Sequence, residues 1–342
     1  KENSGLPDNV VRDIAIDNDG VLWLSCGSNV YHFTGYGLTR FDGETWSSWM
    51  TDGPIFNIGY GAAVDHDNVK WFGTDMGLSR FDRKTWTSYT EIKGCSITGV
   101  WTIIVDKWNR KWFPERKLNF DGSEWTALTP ENTPPQLLDM ISYAADRNGV
   151  EWIGTKTMGL WRFGGSGWKR YTSADGLPEG ALRNLTFDRD NILWVSSYNG
   201  FAAFDGRSFA TFRNGPDTLV TSIAVDSRNR KWMGTMKSGV WSFDGVKWVN
   251  HLPPNDIVMQ DNRTQNVAVD GNDVKWIIGA FGALFRLSDT GWETYKIGPG
   301  NSQFKAIAVG PDNVKWFMTY GSGVLSLETN APIPTSISTA AP

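Results

Sequence analysis

Apolar and polar residues alternate over short runs along the chain. In the first unit these runs cover residues 13–16, 22–25, 38–41 and 45–49, and a turn links each to the next. Gly, Asn and Asp bound the runs, and none reaches the roughly 10–12 residues of a helix. The pattern predicts a four-stranded antiparallel meander, with strands A, B, C and D, and almost no helix.

The same unit recurs about every 40 residues. Eight runs resembling IAIDNDGVLWLS each carry a strand B tryptophan, at spacings of 48, 41, 40, 42, 38, 44 and 40 residues. One sheet cannot bury both of its faces, whereas sheets packed around an axis can, leaving short edges. The chain is therefore predicted to be an all-β propeller with eight four-stranded blades. The repeated tryptophans are Trp23, Trp71, Trp112, Trp152, Trp194, Trp232, Trp276 and Trp316.

The last unit is less complete than the others. It has three clear strand patterns, and the segment after them, TNAPIPTSISTAAP, is rich in Thr, Ser, Pro and Ala. Such a composition predicts a linker and not a packed strand. We expect a propeller over residues 1–329, a tail over residues 330–342, and a last blade that closes with three strands or borrows its fourth.

The repeated tryptophans and aspartates both invite a functional interpretation. Of the 19 tryptophans, 14 recur at the same two slots of the unit, which indicates packing between blades and not ligand stacking. The A–B turn aspartates suit a tight turn, because a carboxylate accepts nearby backbone N–H groups. We therefore predict a structural role for both sets. The aspartates are Asp17, Asp65, Asp106, Asp146, Asp188, Asp226 and Asp270.

Charge and cysteine content exclude several classes of protein. The formal net charge is -4 and Lys and Arg are scattered, so no basic surface for nucleic acid is predicted. No apolar stretch is long enough to cross a membrane, and the first ten residues lack the features of a signal peptide. Cys26 and Cys95 are too few for a disulfide framework or a four-cysteine zinc site, and we expect two buried thiols.

Several motifs resemble the two-component-regulator propeller repeat. They are the GLPDN run at residues 5–9, WFGT at 71–74, GLSRFD at 77–82 and DGLP at 175–178. The resemblance implies a β-propeller of the kind found in periplasmic sensors of hybrid histidine kinases, which usually have seven blades and often sense glycans. This chain departs from that pattern in its eight repeats and in lacking a sandwich domain, a membrane span and a kinase.

The repeat is similar, more loosely, to that of virginiamycin-type lyases. Those enzymes are propellers with a metal-assisted histidine and glutamate site. No motif in this sequence carries those catalytic residues over.

The two sets of loops differ in regularity. The A–B and C–D turns are nearly uniform, whereas the B–C and D–A loops vary in length and composition, as expected of loops that carry function on a rigid scaffold. An insertion at residues 28–36 brings several aromatic residues and a histidine to the variable face. The predicted ligand-binding residues are Tyr31, His32, Tyr36, Glu115, Arg116, Lys156, Tyr198 and Tyr320.

We expect a non-enzymatic, secreted or periplasmic binding propeller, monomeric, with a polar ligand such as a glycan at the variable face. No cofactor is predicted, although a structural or channel-bound cation such as Ca²⁺ is compatible with the pattern. One alternative is a metal-assisted lyase or hydrolase, for which Glu115 and Asp139 form a candidate carboxylate pair. Another is a scaffold for protein partners, which an exposed apolar patch on the rim would favour.

Overall fold

The fold is known from a computed structural model. It describes a large part of the chain. The described residues are 11–26, 37–42, 45–49, 59–74, 76–82, 84–100, 102–128, 135–164, 167–197, 199–212, 215–216, 219–253, 262–280, 283–295, 303–309, 313–320 and 324–327.

The fold class is the predicted β-propeller. The chain divides into two compact units: unit 1 comprises Lys1–Thr129 and Lys296–Pro342, and unit 2 comprises Pro130–Tyr295. In the described residues there are seven four-stranded sheets and one three-stranded sheet, all antiparallel, with strands in sequence order. The predicted repeat and four-stranded meander are therefore confirmed, and the last sheet has three strands in the described residues. The predicted tail, residues 330–342, lies outside the described residues.

Unit 1 opens with three consecutive meanders. A two-stranded hairpin, β9 with β10, follows the second of them. Sheet 1 has β1 (Val11–Ile16), β2 (Leu22–Cys26), β3 (Gly37–Phe41) and β4 (Trp46–Trp49); sheet 2 has β5 (Gly59–Val64), β6 (Lys70–Thr74), β7 (Leu78–Phe81) and β8 (Trp86–Tyr89); the hairpin has β9 (Glu91–Ile92) and β10 (Cys95–Ser96); sheet 3 has β11 (Ile104–Val105), β12 (Lys111–Phe113), β13 (Leu118–Phe120) and β14 (Trp125–Ala127).

Unit 2 contains four meanders of the same kind. Sheet 4 has β15 (Met140–Ala145), β16 (Glu151–Thr155), β17 (Leu160–Phe163) and β18 (Trp168–Tyr171); sheet 5 has β19 (Asn184–Phe187), β20 (Leu193–Ser197), β21 (Gly200–Phe204) and β22 (Phe209–Ala210); sheet 6 has β23 (Val220–Val225), β24 (Lys231–Thr235), β25 (Val240–Phe243) and β26 (Trp248–His251); sheet 7 has β27 (Thr264–Val269), β28 (Lys275–Gly279), β29 (Leu284–Ser288) and β30 (Gly291–Tyr295).

Sheet 8 returns to unit 1. It has β31 (Gln303–Val309), β32 (Lys315–Tyr320) and β33 (Val324–Leu327). Strand β1 lies against β31 and β32 on one side and against β5 on the other. Within unit 1, the first sheet is thus packed between the second and the last.

Helical structure is limited to single turns in the described residues, as predicted. The longer segments are the helix α1 (Pro135–Leu138) and two 3₁₀ turns, Pro114–Arg116 and Ser173–Asp175. Both 3₁₀ turns lie in connections at the B–C and D–A end of a sheet. They therefore shape loops and contribute nothing to the sheets themselves.

The strand B tryptophans pack against the following sheet. The Trp71 ring lies 5.5 Å from that of Phe120 and 6.2 Å from that of Trp125, both in sheet 3. The Trp194 ring lies 5.8 Å from that of Phe243 in sheet 6. Seven of the eight indoles are buried, which confirms the predicted packing role, and the side chain of Trp316 is not described.

In three repeats a glycine follows the strand B tryptophan by two residues. Other parts of the chain approach strand B closely at this point, which explains the glycine. A Cβ on Gly154 would lie 2.1 Å from the Ser142 Oγ and 2.8 Å from the carbonyl oxygen of Leu182. A Cβ on Gly73 would lie 2.3 Å from the carbonyl oxygen of Val100. Strand B at this point leaves no room for a side chain, because the next segment of chain crosses it directly.

Candidate functional site

Each meander exposes two kinds of connection at opposite ends. The A–B and C–D turns emerge at one end of the sheet, and the B–C and D–A connections emerge at the other, since successive strands run antiparallel. The sequence predicted structural turns at the first end and a binding surface at the second. The two ends are described separately below.

The A–B turn aspartates hold their turns as predicted. The Oδ1 atom of Asp65 accepts the backbone N–H groups of Asp67 and Val69, at 3.0 and 2.9 Å. The same pair of bonds, to the second and fourth residue after the aspartate, occurs in sheets 1 to 7. The seven carboxylates are thus turn-forming groups.

The second oxygen of these carboxylates has a role that the sequence analysis missed. The Oδ2 atom of Asp65 accepts the indole Nε1–H of Trp71 at 3.0 Å. It also lies 2.9 Å from the Nζ of Lys111, which belongs to the next sheet. Lys70 reaches Asp17 and Lys231 reaches Asp188 in the same way, at 2.9 and 3.2 Å. A buried aspartate, tryptophan and lysine therefore join neighbouring sheets at these three places.

Two sheets obtain the cation from their own turn. In sheet 3 the Nε of Arg110 donates to Asp106 Oδ2 at 2.6 Å, and in sheet 6 the Nε of Arg230 donates to Asp226 Oδ2 at 2.8 Å. Lys275, next to the sheet 6 network, lies over the Trp232 ring at 4.5 Å, and its burial lowers its pKa. In both sheets the charge of the turn carboxylate is therefore balanced by an arginine of the same turn.

Sheet 4 departs from this arrangement. The Nε1–H of Trp152 is buried and makes no hydrogen bond within the described residues. The position that supplies a lysine to other sheets is occupied in sheet 5 by Leu193, which is buried. Asp146 keeps its two turn bonds. The interface between sheets 4 and 5 is consequently held by apolar packing at this point.

The network keeps its carboxylates ionised. Burial opposes ionisation of Asp17 and Asp65, but hydrogen bonds from the neighbouring lysine and indole outweigh it and lower the pKa of both. A carboxylate held in this way is committed to the fold and is not available as a catalytic acid. This end of the sheets is therefore structural, as the repetition predicted.

At the other end of sheet 3, Glu115 and Arg116 lie in the 3₁₀ turn Pro114–Arg116. The Oε2 atom of Glu115 accepts the backbone N–H of Thr102 at 3.4 Å. The Nε of Arg116 is buried with no hydrogen-bond partner in the described part of the chain. Both side chains are half-buried, and both were predicted ligand-binding residues. Lys117 follows with a positive φ of 51°, which ends the turn.

In unit 2, the D–A connection of sheet 4 is tied to two B–C turns. The backbone N–H of Leu182 donates to the carbonyl of Thr155 at 3.1 Å, and the Oγ–H of Ser197 donates to the carbonyl of Glu179 at 2.7 Å. The turn after Thr155 is closed by its Oγ1–H, which donates to the Gly159 carbonyl at 2.6 Å. These bonds hold the loops of sheets 4 and 5 in one arrangement.

The exposed side chains on these tied loops are polar. Lys156, Glu179 and Asn199 are all exposed, and the backbone of Lys156 is fixed by its N–H bond to the carbonyl of Asp139 at 3.0 Å. The carboxylate of Asp139 accepts the N–H and the Oγ1–H of Thr157, each at 2.7 Å. The surface therefore presents hydrogen-bonding groups from a rigid base. We call Lys156, Glu179 and Asn199 the polar loop surface.

The remaining predicted ligand residues cannot be placed. Tyr31, His32, Tyr36 and Tyr198 lie outside the described residues, and Tyr320 ends β32 with its side chain not described. Tyr198 directly precedes Asn199 of the polar loop surface in the chain. Their role in binding stays a prediction.

His251, at the end of β26, is partly buried within sheet 6. Burial lowers its pKa to about 4. Its ring lies 4.8 Å from that of Trp232, and its Nε2 is 2.7 Å from the Ser242 Oγ. The imidazole is thus a neutral packing group at neutral pH and not a base at a loop end.

In the described residues, no group of three or more His, Cys, Asp or Glu side chains is arranged to hold a metal ion. No helix in that part of the chain has the length and apolar character needed to cross a membrane.

Residues 5–28 match the family model described as two component regulator propeller. No curated protein matches the chain. Solved structures share the fold. The extracellular domain of the hybrid two component system BT3049 from B. thetaiotaomicron is similar with a TM-score of 0.56 and 16% identity, over 95% of this chain and 52% of that one. This chain thus spans about half the length of that relative.

Two further structures match over almost their whole length. A catalytically inactive virginiamycin B lyase from Staphylococcus aureus with quinupristin has a TM-score of 0.54 and 12% identity, and the match covers 93% of this chain and 94% of the lyase. YCF48 with a bound peptide has a TM-score of 0.52 and 15% identity, over 96% of each chain. At these identities the similarity shows the β-propeller fold alone.

Proposed function

Starting from a chain that carries the two-component-regulator propeller repeat, we propose that it is a non-enzymatic, extracytoplasmic binding propeller. Its ligand is a polar molecule, and a glycan fits best. The site is the B–C and D–A end of the sheets, where the predicted ligand-binding residues were assigned. The chain would be a recognition module, and the solved extracellular domains that share its fold support an extracytoplasmic location.

The polar loop surface is the observation that carries the proposal. Hydrogen bonds from Leu182 and Ser197 fix the loops, so the loop backbone loses little conformational entropy when a ligand binds. Sugar hydroxyls need planar hydrogen-bonding groups, and Glu179 and Asn199 supply a carboxylate and an amide. Tyr198, next in the chain, would supply an aromatic face for sugar C–H groups.

The alternative of a metal-assisted lyase or hydrolase gains no support from the proposed carboxylate pair. Glu115 accepts a backbone N–H, and Asp139 accepts two groups of Thr157. Both carboxylates therefore already act in holding their own loops. The proposed catalysis needs carboxylates that are free to react, whereas ligand binding does not, and we therefore favour a binding role.

The test is a glycan-array and calorimetric screen of the full chain. We expect at least one polar ligand whose affinity falls at least about tenfold, or about 1.4 kcal/mol, in the double variant Lys156→Ala with Asn199→Ala. Arg207→Ala is the control, because Arg207 is exposed in the C–D turn of sheet 5, at the opposite end. Ligands that bind equally well to both variants would refute this location, and so would a screen without binders.

A further inference from the structure

Exposed apolar side chains occur along one outer sheet edge in unit 2. In the described part of the chain, five large hydrophobic side chains are exposed, and three of them lie within seven residues of each other. These are Val246, Val249 and Leu252, which are 92%, 37% and 49% exposed. Val249 belongs to β26, the outermost strand of sheet 6, and the other two flank that strand.

The other outer strands of unit 2 are protected against pairing with another strand, but β26 is not. Edge strands are normally protected by charge or by shortness. Strand β18 exposes Lys169 and Arg170, and β22 has only two residues. Strand β30 carries Glu293, paired with Arg286. Strand β26, with the sequence WVNH, has four residues and no carboxylate, Lys or Arg.

The register of sheet 6 shows which backbone groups of β26 point outward. Asp244 donates its N–H to the carbonyl of Lys247 across the hairpin, so these two form a hydrogen-bonded pair. Pairs alternate along an antiparallel ladder, and Phe243 faces Trp248 in the next pair. Trp248 and Asn250 therefore direct their backbone N–H and C=O groups away from β25, towards the open edge.

We propose that β26 is the edge through which two copies of this chain associate. The strands pair antiparallel about a two-fold axis at Val249. In this register Val249 faces Val249 of the second copy across the axis. Val246, in the turn just before the strand, lies beside the second copy's Leu252, which follows the strand, so each exposed apolar side chain gains an apolar neighbour, as an isologous contact requires. This departs from the monomer expected from the sequence.

The same register satisfies the backbone. It places Trp248 opposite the second copy's Asn250, so the outward-pointing groups of both strands meet and form two hydrogen-bonded pairs. Lys247 faces His251, which burial keeps neutral near pH 7. No two like charges are opposed. A four-residue edge is a small interface, so we expect a weak dimer with Kd of about 10 µM to 1 mM.

Sedimentation velocity of the full chain, from about 5 µM to about 1 mM, tests the proposal across that range. Wild type should shift from monomer to dimer as the concentration rises, with little dependence on salt. Val249→Lys places two like charges at the axis and should abolish the dimer. Val249→Glu should do the same, and an equimolar mixture of the two variants should associate again.

Thr87→Lys is the matched control, because Thr87 occupies the second position of β8, as Val249 does in β26. It should leave the association unchanged. The variant fold is not in question, since Lys169 occupies this position naturally in β18. A wild type that is monomeric throughout, or a dimer that survives Val249→Lys, overturns the proposal. Failure of the mixture to associate overturns the register at Val249.

Discussion

The A–B turn aspartates divide their two carboxylate oxygens between local and long-range bonds. One oxygen closes the turn, and in most sheets the other receives an indole N–H from the same sheet. In three of them a lysine from the next sheet completes the site. Paired and hydrogen-bonded in this way, a buried charge is tolerated, whereas an isolated one would be strongly destabilising. The aspartate therefore stabilises both its own turn and, where the lysine is present, the contact with the next sheet.

The indole bond can be measured because sheet 4 lacks it. Trp194→Phe should lower the free energy of unfolding by about 1–3 kcal/mol more than Trp152→Phe, since only the first variant removes a buried hydrogen bond from an indole N–H to a charged carboxylate. Both indoles are buried, and both pack on aromatic rings of the following sheet. Equilibrium denaturation of the two variants gives the difference. Equal losses would show that the bond to Asp188 contributes nothing.

Asp13 provides a second residue-scale prediction. Burial raises its pKa to about 6, although the N–H groups of Ala62 and Ile14 donate to it. A raised folded pKa contributes stability that is fully present below the unfolded pKa of 3.8 and is lost as pH rises through about 6. The stability of wild type relative to Asp13→Asn should therefore fall by about 2–3 kcal/mol between pH 4 and pH 7. Denaturant melts at several pH values measure it, and a difference independent of pH would contradict it.

At the scale of the element, the meander follows directly from the sequence pattern. Gly or Asn ends most A–B turns with a positive φ, as at Gly20 with 78° and Asn68 with 61°, and in sheet 7 Asp273 does so with 59°. The asparagine does more than allow the turn, because the Oδ1 of Asn68 accepts the N–H of Asn18 in the preceding sheet at 3.2 Å. The asparagine side chain thus links neighbouring turns, although the sequence alone indicates only a role within its own turn.

The glycine of strand B is a packing requirement between elements. Gly154→Ala should destabilise the protein by at least about 1 kcal/mol, because the new methyl group would overlap the Ser142 Oγ and the Leu182 carbonyl. Ser142→Ala removes the first overlap but also the Ser142 Oγ–H bond to the Leu182 carbonyl, so Gly154→Ala should cost less when it is introduced into Ser142→Ala than when it is introduced into wild type. Thermal melts of the single and double variants test this. No remaining cost of Gly154→Ala in Ser142→Ala would mean that the Leu182 segment moves freely.

For the whole molecule, repetition determined how much could be predicted. The repeat, the four strands of the first sheet and the packing role of the tryptophans followed from spacing alone. The lysine network was not predicted, although Lys precedes the tryptophan in five of eight repeats. From the sequence alone, a lysine beside a strand is expected to be exposed to solvent. The ligand-binding surface was the hardest part to predict, because loops that differ between repeats cannot be compared with equivalent loops elsewhere in the chain. Glu115 and Arg116 illustrate this, as both turn out to be half-buried.

Acid should unfold the molecule as a whole, because an aspartate at the equivalent turn position stabilises each of sheets 1 to 7. The pKa values of Asp17, Asp65 and Asp226 are lowered, burial opposing and hydrogen bonds from indole, lysine or arginine prevailing. A lowered folded pKa gives stability that is present above the unfolded value of 3.8 and lost as pH falls. Tryptophan fluorescence should therefore shift to the red between about pH 4 and pH 2, together with loss of near-ultraviolet circular dichroism.

The matched variants are Asp226→Asn and Asp146→Asn. The first removes a carboxylate bonded to Trp232 and Arg230, and the second removes one that no indole reaches. Asp226→Asn should lower stability at neutral pH more than Asp146→Asn and should weaken the dependence on acid pH, because it also removes the hydrogen bonds that the carboxylate receives from Trp232 and Arg230. Salt should matter little, since buried pairs are poorly screened. If the two variants gave the same pH profile, the stability of the sheets in acid would have to come from groups other than the turn carboxylates.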